Sequence, residues 1–250
     1  MTQKTAFITG TTAGIGAAAA RRFTSEGWRV IGTGRRRERL DALAGELGEA
    51  FHPLELDVRD LKAMEAAVDA LPEGFRDIDL LLNNAGLAPP LATVQESELP
   101  ASLQAIDTNI TALVALTRKL LPGLIARKGA VINLSSVAAT YPYRGGAVYG
   151  GTKAFVRQFS LDLRADLHGT GVRVTSIEPG MIETEFTLVR NGGDQAASDA
   201  LYAGIDAMTA EDTAEVLHWV ATLPSHVNVN ALELMPVNQS FAGFAVARPS

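Results

Sequence analysis

The sequence predicts an α/β protein in which helices cover both faces of one doubly wound parallel sheet, with about seven strands in the order 3-2-1-4-5-6-7. Two features of the 250-residue chain lead to this prediction. Short apolar runs alternate with helical patterns along its length. These runs are continuous, as expected for strands buried on both faces. Since 47% of the residues are hydrophobic, the chain can bury one large core, and we expect a single domain over 1–250.

The first third of the chain alternates between the two element types. The opening strand, TAFITG, is short, apolar and ended by glycine. Strands are predicted at 5–10, 28–34, 51–56 and 78–83. Helices, predicted from apolar residues at helical spacing, lie between them at about 14–26, 37–47 and 60–71.

The rest of the chain continues the alternation with longer helices. Strands are predicted at 129–135, 172–179 and 231–237. Helices are predicted at about 99–121, at about 149–168 and in AEDTAEVLHWVATL. The segment 183–208 has the weakest periodicity, and its stretch NGGDQAAS predicts a loop.

Composition and charge exclude several classes of protein. The chain has no cysteine, and therefore no disulfide, thiolate metal site or cysteine nucleophile. A net charge of −6 argues against a nucleic-acid partner. No apolar run approaches the roughly 20 residues that span a bilayer, and no signal peptide is recognisable, so we expect a cytoplasmic protein without a membrane partner. The histidines lack the spacing of metal ligands, so no metal site is expected: His52, His168, His218 and His226.

A glycine-rich turn, TGTTAGIG at 9–16, follows the first strand and opens the first helix. A phosphate at a helix N-terminus meets free backbone N–H groups, and glycine lets the backbone approach it closely. The glycines Gly10, Gly14 and Gly16 have neither GxGxxG nor P-loop spacing. A tight turn with glycines for packing is therefore the alternative to a cofactor site.

Three arginines, Arg35 to Arg37, stand at the end of the second strand. In NAD-binding units a carboxylate about 20 residues beyond the glycines binds the ribose 2′-hydroxyl, and none is present here. Cations are unfavourable at the start of a helix, so a solvated surface explains them poorly. A 2′-phosphate explains them well. We therefore predict NADP(H) rather than NAD(H) as the cofactor.

The stretch YGGTK places Tyr149 and Lys153 one helical turn apart, on the same face. A tyrosine can exchange a proton with a substrate if its pKa falls from about 10. A nearby ammonium favours that change. The two intervening glycines weaken a helix by roughly 1 kcal/mol each relative to alanine, which suggests that ligands must lie against this face.

Several further motifs complete a set that resembles the short-chain dehydrogenase/reductase family over nearly the whole chain. They are LDV (56–58), NNAG (83–86), DTN (107–109), NLSS (133–136) and EPGMIET (178–184), in the order and spacing of that family. The resemblance implies a Rossmann-type fold and hydride transfer between a nicotinamide and a carbonyl. It places the cofactor half at about 1–135 and the catalytic and substrate half at about 136–250.

The resemblance also implies roles for single residues. The catalytic tetrad would be Asn109, Ser136, Tyr149 and Lys153. Asn109 would hold a water that relays protons, and Ser136 would polarise the substrate carbonyl. The implied cofactor-binding residues are Gly10, Thr12, Ala13, Gly14, Ile15, Gly16, Arg35, Arg36, Asp57, Val58, Asn84, Ala85, Gly86, Tyr149, Lys153, Pro179, Gly180, Ile182 and Thr184.

Taken singly, several of these residues have simpler explanations. NNAG suits a turn that ends a strand, and Asp57 could be the N-cap of the next helix. Asn109 could be a surface residue of its helix. It is the ordered set that favours a functional interpretation.

The second half of the chain is similar to bacterial NADP-dependent 3-hydroxy acid dehydrogenases, which act on serine and L-allo-threonine, and to sulfoacetaldehyde reductase. A small anionic substrate needs a cation, ideally a guanidinium. Arg144 and Arg190 are both candidates, together with Ser136 and Tyr149 as substrate-binding residues. The turn PGMIETEF departs from that subgroup, which has one more residue and a Gly-Gly pair there. A larger ketone or sugar-derived carbonyl, or NADP binding without turnover, are the alternatives.

The apolar tail MPVNQSFAGFAVARPS predicts a subunit contact, because chain ends otherwise fray. We therefore expect a homo-oligomer, either a dimer or the tetramer that is common in the family.

Overall fold

Seven parallel strands form one sheet, and their order confirms the prediction. The computed structural model describes residues 3–241. The strands are β1 Thr5–Ile8, β2 Arg29–Gly34, β3 Phe51–Glu55, β4 Leu80–Asn83, β5 Ala130–Leu134, β6 Arg173–Pro179 and β7 Ala231–Leu234. They follow the order β3-β2-β1-β4-β5-β6-β7, and every neighbouring pair is parallel. One sheet thus runs through both halves of the chain.

Helices connect the strands and lie on both faces of the sheet. They are α1 Gly14–Ser25, α2 Arg37–Leu47, α3 Leu61–Asp69, α4 Leu99–Ile106, α5 Ala112–Arg127, α6 Ala147–Asp166, α7 Glu185–Arg190, α8 Gln195–Tyr202 and α9 Ala210–Thr222.

The core has two layers because successive strand residues point to opposite faces. Ile8 of β1 packs in a cluster with Phe23 of α1 and Leu217 of α9. Its neighbour Phe7 packs on the other face with Met64 of α3 and residues of α5 and α6. Both strand residues are fully buried. This explains the continuous apolar runs from which the strands were predicted.

A chain of buried amides and hydroxyls crosses the core between the central strands. Asn83 of β4 donates from Nδ2 to Asn133 Oδ1 of β5 at 2.8 Å and to Thr117 Oγ1 of α5 at 3.0 Å. Asn133 in turn donates from Nδ2 to Ser160 Oγ of α6 at 2.9 Å. We refer to these four residues as the buried amide chain. It joins α6 to the middle of the sheet.

The helix that follows β4 is longer than predicted and is interrupted. A π-helical segment, Asp107–Thr111, lies between α4 and α5, and α5 continues through the exposed Pro122 to Arg127. By length and composition alone, the stretch Leu99–Arg127 could cross a membrane, because it has 29 residues and contains an 18-residue window with a mean hydropathy of 1.2. Its apolar residues have another explanation, because Leu116 and Leu124 are buried against the sheet.

The segment 183–208 contains two short helices, and the second of them begins within NGGDQAAS, where the sequence predicted a loop. α7 begins at Glu185, with Thr184 as its N-cap, and α8 begins at Gln195, with Asp194 as its N-cap. Helices this short do not form alone, so they depend on contacts with the rest of the protein. The sequence pattern within the segment could not show those contacts.

Candidate active site

Most of the predicted site residues gather at the carboxyl edge of the sheet. β1 leads into the glycine turn, β4 into Asn84, β5 into Ser136, and β6 ends at Pro179. Parallel sheets of this kind bind ligands in the crevice beyond these strand ends.

The glycine turn is built for close approach. Gly10 and Gly14 have positive φ, +76° and +52°, which favour glycine. A Cβ on Gly16 would lie 2.2 Å from the carbonyl oxygen of Gly10, so any side chain there would collide with the turn. Ala13 is the N-cap of α1 and provides no side-chain hydrogen bond. The N–H groups at the start of α1 are therefore free of a side-chain cap, which fits the diphosphate of a dinucleotide.

The NNAG stretch forms hydrogen bonds with the glycine turn. Asn84 Nδ2 donates to the carbonyl oxygen of Thr9 at 2.7 Å and to that of Gly10 at 3.2 Å. Thr9 Oγ1 accepts from the backbone N–H groups of Asn84 and Ala85. Asn84 was expected among the cofactor-binding residues, and its observed contacts are with the turn. The predicted Ile15 packs against the hydrophobic core.

Two arginines lie against the glycine turn, the N-cap of α2 and a residue of its first turn, and only the first of them was predicted. Arg36 Nε donates to Thr12 Oγ1 at 3.3 Å, and Arg39 Nη1 donates to the Thr12 carbonyl oxygen at 3.2 Å. Both also pair with Glu185 of α7. Arg37 points elsewhere and pairs with Asp41 at 2.8 Å. Sequence reasoning missed Arg39, although its spacing of three from Arg36 puts both on one helix face.

The other two predicted groups on this side, Arg35 and Asp57, lie near one another. Arg35 is exposed. Asp57 accepts from Arg59 Nη2 at 2.5 Å, and this hydrogen bond is the main reason that the pKa of Asp57 is lowered. The N-cap of α3 is Asp60, whose Oδ1 accepts from the Ala63 N–H, so the alternative of Asp57 as that cap is wrong. The predicted Val58 is buried.

Tyr149 lies near the start of α6, in contact with Ser136. Its hydroxyl forms a hydrogen bond with Ser136, which also donates from Oγ to the Pro179 carbonyl oxygen at 3.3 Å. Burial raises the pKa of Tyr149 to about 12, and the Ser136 hydrogen bond and the Arg190 charge oppose that rise. The expected lowering of this pKa by Lys153 is therefore not found in the protein alone, where burial dominates.

Lys153 is buried beneath Tyr149. Its Nζ lies 5.7 Å from the centroid of the Tyr149 ring and donates to the carbonyl oxygen of Leu134 at 2.7 Å. The Lys153 carbonyl accepts from Ser135 Oγ at 2.7 Å, so both ends of the residue are tied to the end of β5. Burial lowers the pKa of Lys153 to about 8.

We expect the effect of Lys153→Met on stability to depend on pH. The Lys153 pKa is about 8 in the folded protein and about 10.4 in an unfolded chain. Between these values the unfolded state binds more protons. The free energy of unfolding of the wild type relative to the variant is therefore flat below the folded pKa and then rises with pH, by at most about 1.4 kcal/mol per unit.

Urea unfolding of both proteins at several values from neutral pH to the upper end of this range measures the difference. A difference that falls or stays constant as the pH rises would contradict the prediction.

Asn109 is positioned by the π-helical segment, a feature often found at functional sites. Its Nδ2 donates to Thr152 Oγ1 of α6 and to the Leu87 carbonyl oxygen, both at 2.9 Å, and its Oδ1 accepts from the Leu87 N–H at 2.9 Å. A Cβ on Gly86 would lie 3.3 Å from Asn109 Oδ1 and 3.4 Å from Lys153 Nζ. Gly86 therefore lies beside Asn109 and Lys153, which are two members of the predicted tetrad.

Of the two candidate substrate-binding arginines, Arg190 is the one that lies at Tyr149. Its guanidinium carbon is 5.8 Å from the centroid of the Tyr149 ring and 5.7 Å from that of Tyr143. Nε donates to the Pro89 carbonyl oxygen at 3.1 Å. Arg144 is exposed, and within residues 3–241 no hydrogen bond or ion pair involves its side chain.

The turn after β6 is supported by a residue that sequence reasoning missed. Gln239 Oε1 accepts from the Met181 N–H at 2.8 Å, and a Cβ on Gly180 would lie 2.2 Å from the same oxygen. Ile182 forms an isolated β-bridge with Met208. Thr184 caps α7 and approaches the glycine turn, where a Cβ on Gly14 would lie 3.3 Å from it. The turn therefore closes over the start of α1.

A glycine turn that suits a diphosphate, and a tyrosine beside a lysine on the same cleft, indicate a dinucleotide-dependent dehydrogenase as the class of protein. Comparison with known proteins makes the class specific. The family model of the short chain dehydrogenases matches residues 4–195, and the chain belongs to that family. This confirms the resemblance of the motifs.

Individual relatives match over nearly the full length. The chain is 64% identical to serine 3-dehydrogenase of Agrobacterium fabrum over 246 residues, which cover 98% of this chain and 99% of that protein. It is 55% identical to sulfoacetaldehyde reductase 2 of Chromohalobacter salexigens over 245 residues, which cover 96% and 97%. The closed form of a serine dehydrogenase complexed with NADP+ superposes with a TM-score of 0.97 at 49% identity, covering 98% of this chain and 100% of that one.

Proposed function

We propose that this protein is an NADP-dependent oxidoreductase that interconverts a small 3-hydroxy acid, such as serine, allo-threonine or 3-hydroxypropionate, and the corresponding aldehyde or ketone. We infer the substrate class from the position of the Arg190 guanidinium, which lies 5.8 Å from the centroid of the Tyr149 ring. A cation at this place can bind a carboxylate while the neighbouring hydroxyl meets the acid/base.

The cofactor side of the cleft fits NADP. Arg36 and Arg39 flank Thr12 of the glycine turn, and guanidinium groups bind phosphates bidentately. Three arginines, and no acidic residue, directly follow Gly34 at the end of β2, where an NAD-binding protein carries the acidic residue that binds its ribose. The prediction of NADP is confirmed by the serine dehydrogenase structure that contains NADP+. We assign the 2′-phosphate to Arg36 and Arg39, with Arg35 at the edge of the site.

The protein supplies the proton chemistry, and the bound cofactor supplies or accepts the hydride. With a pKa raised to about 12, Tyr149 is protonated at neutral pH and can donate a proton to a carbonyl oxygen. In the opposite direction it must lose that proton, which the Ser136 hydrogen bond and the Arg190 charge both favour. Ser136 orients the substrate oxygen. The Lys153 ammonium lies 5.7 Å from the centroid of the Tyr149 ring.

A small substrate panel tests this function. Serine, allo-threonine and 3-hydroxypropionate with NADP and NAD, and the matching aldehydes with NADPH and NADH, are followed by nicotinamide absorbance. We expect turnover of hydroxy acids with NADP and a strong preference over NAD. Turnover confined to bulky neutral ketones, or a preference for NAD, would contradict the assignment.

Sulfoacetaldehyde is the second candidate substrate. The relative named for this activity is 55% identical, and a guanidinium binds a sulfonate through the same donors as a carboxylate. The panel therefore includes sulfoacetaldehyde beside malonic semialdehyde, and the ratio of their kcat/KM values decides between the two anions.

We further propose that the protein is a cytoplasmic homo-oligomer. Leu99 and Leu103 of α4 are 66% and 49% exposed, and Phe155 of α6 is exposed and stacked on Phe159. Such an apolar surface suits a subunit contact. We expect a dimer or tetramer in light scattering, and a monomer would contradict the proposal. The tail predicted to join the contact lies partly outside the described residues, from 242 onward.

A further inference from the structure

The two arginines beside the glycine turn share one carboxylate. Arg39 Nη1 donates to Glu185 Oε1 at 2.7 Å and to Oε2 at 2.8 Å, and Arg36 Nη1 donates to Oε2 at 3.0 Å. Glu185 lies 146 residues beyond Arg39 in the chain. These contacts therefore fasten α7 to α2 across the cleft.

The opposite end of α7 carries Arg190. The helix has six residues, which corresponds to a length of about 9 Å. The helix α7 thus connects the Glu185 carboxylate at its first residue to Arg190 at its last residue, beside Tyr149. A shift of the first end therefore changes the direction in which the helix presents Arg190.

α7 is also held by contacts other than those of Glu185. The Phe186 ring lies 5.7 Å from that of Tyr149, and Arg190 Nε donates to the Pro89 carbonyl oxygen at 3.1 Å. Thr187 is its buried residue, with Oγ1 2.8 Å from Ser198 Oγ of the equally short α8. Val189 is 61% exposed. Only one side chain of α7 is buried, so polar contacts with Arg36 and Arg39 contribute to its position beside partial apolar packing.

We propose that Glu185 is a positioning residue for substrate binding, which anchors α7 to Arg36 and Arg39 and thereby sets the place of Arg190 over Tyr149. Glu185 itself touches neither the acid/base nor the substrate anion in this arrangement. The proposal rests on the proposed function for Arg190, but the attachment of α7 can be measured without substrate.

Glu185→Gln keeps the shape of the side chain and removes its charge. Glu183→Gln is the matched control, because Glu183 is exposed in the same segment and, within residues 3–241, its side chain forms no hydrogen bond or ion pair. The first measurement is amide hydrogen exchange of the full chain without cofactor. We expect exchange in 185–190 to be about three- to ten-fold faster in Glu185→Gln, in proportion to the loss of two partly exposed ion pairs. Glu183→Gln should match the wild type.

The second measurement compares KM for the hydroxy acid and kcat of each variant with those of the wild type, at saturating NADP. Glu185→Gln should raise KM for the hydroxy acid by the same three- to ten-fold, with kcat changed by less than about two-fold, because the acid/base is untouched. Arg39→Gln should raise this KM as well. The double variant should show no further rise over Glu185→Gln, since that change already removes the ion pair with Arg39.

Unchanged exchange in 185–190, or equal effects of Glu183→Gln and Glu185→Gln, would overturn the proposal. Additive effects in the double variant would overturn it too. If the wild type turns over no hydroxy acid, the proposed function fails by itself. The exchange comparison then decides alone: faster exchange in Glu185→Gln supports the anchoring role, and unchanged exchange refutes it.

Discussion

Replacing Tyr149 with phenylalanine is expected to lower kcat by about 10³-fold, in the range of a lost general acid/base. The variant removes the hydroxyl that we propose as proton donor and acceptor, and the ring that remains still packs on Phe186 at 5.7 Å. The fold and the glycine turn are therefore retained. Steady-state rates with NADPH and an aldehyde measure the loss, and nicotinamide fluorescence measures cofactor binding, which should stay within about two-fold.

The matched control for this variant is Tyr141→Phe. The Tyr141 hydroxyl donates to Glu233 Oε1 at 3.1 Å, outside the tetrad. We expect near-normal turnover from it. Near-normal turnover of Tyr149→Phe would refute the acid/base assignment, and loss of cofactor binding by that variant would mean that its effect arises from a damaged site.

Arg190→Gln is expected to raise KM for the hydroxy acid by about 10- to 100-fold, because a hydrogen bond to a charged group contributes roughly 1.5–3 kcal/mol. The substrate carboxylate loses its guanidinium while the tetrad stays in place, so kcat should fall much less than kcat/KM. A neutral aldehyde of similar size lacks the carboxylate. Its KM should barely change, and comparing the two substrates isolates the role of the charge.

Arg144→Gln completes the comparison. Both arginines satisfy the expectation from sequence, but Arg144 is exposed and Arg190 lies over Tyr149. A rise in KM on replacing Arg144, with none on replacing Arg190, would reverse the assignment.

Much of the fold could be predicted because each strand carries its own signal. LLLN at 80–83 is buried on both faces and reads as an apolar run in any context. α7 has no such signal. It is six residues long, and its stability comes from partners on α2 that are distant in sequence. Periodicity within 183–208 could therefore not reveal it.

Prediction of the site from the sequence was limited in the same way. Tyr149 and Lys153 are one turn apart in the sequence, so their common face followed from helix geometry. The π-helical segment that positions Asn109 adds a residue to a turn, and no pattern in DTNIT marks it. Arg39 could have been found from its helix face. Glu185 and Gln239 could not, because their partners lie on segments with no sequence relation to them.

The buried amide chain determines which parts of this enzyme can diverge one residue at a time. Replacing Asn133 alone breaks its hydrogen bonds with Asn83 and Ser160, each of which contributes about 0.5–1.5 kcal/mol. Asn83 keeps its bond to Thr117, and Ser160 keeps its bond to the Val156 carbonyl oxygen. Single changes in that region are therefore disfavoured, and α6 with its tyrosine and lysine stays in place. The segment 183–208 is joined to the cleft through Glu185 and Arg190 at the surface. New substrate preferences can thus arise there by single steps, on top of unaltered proton chemistry.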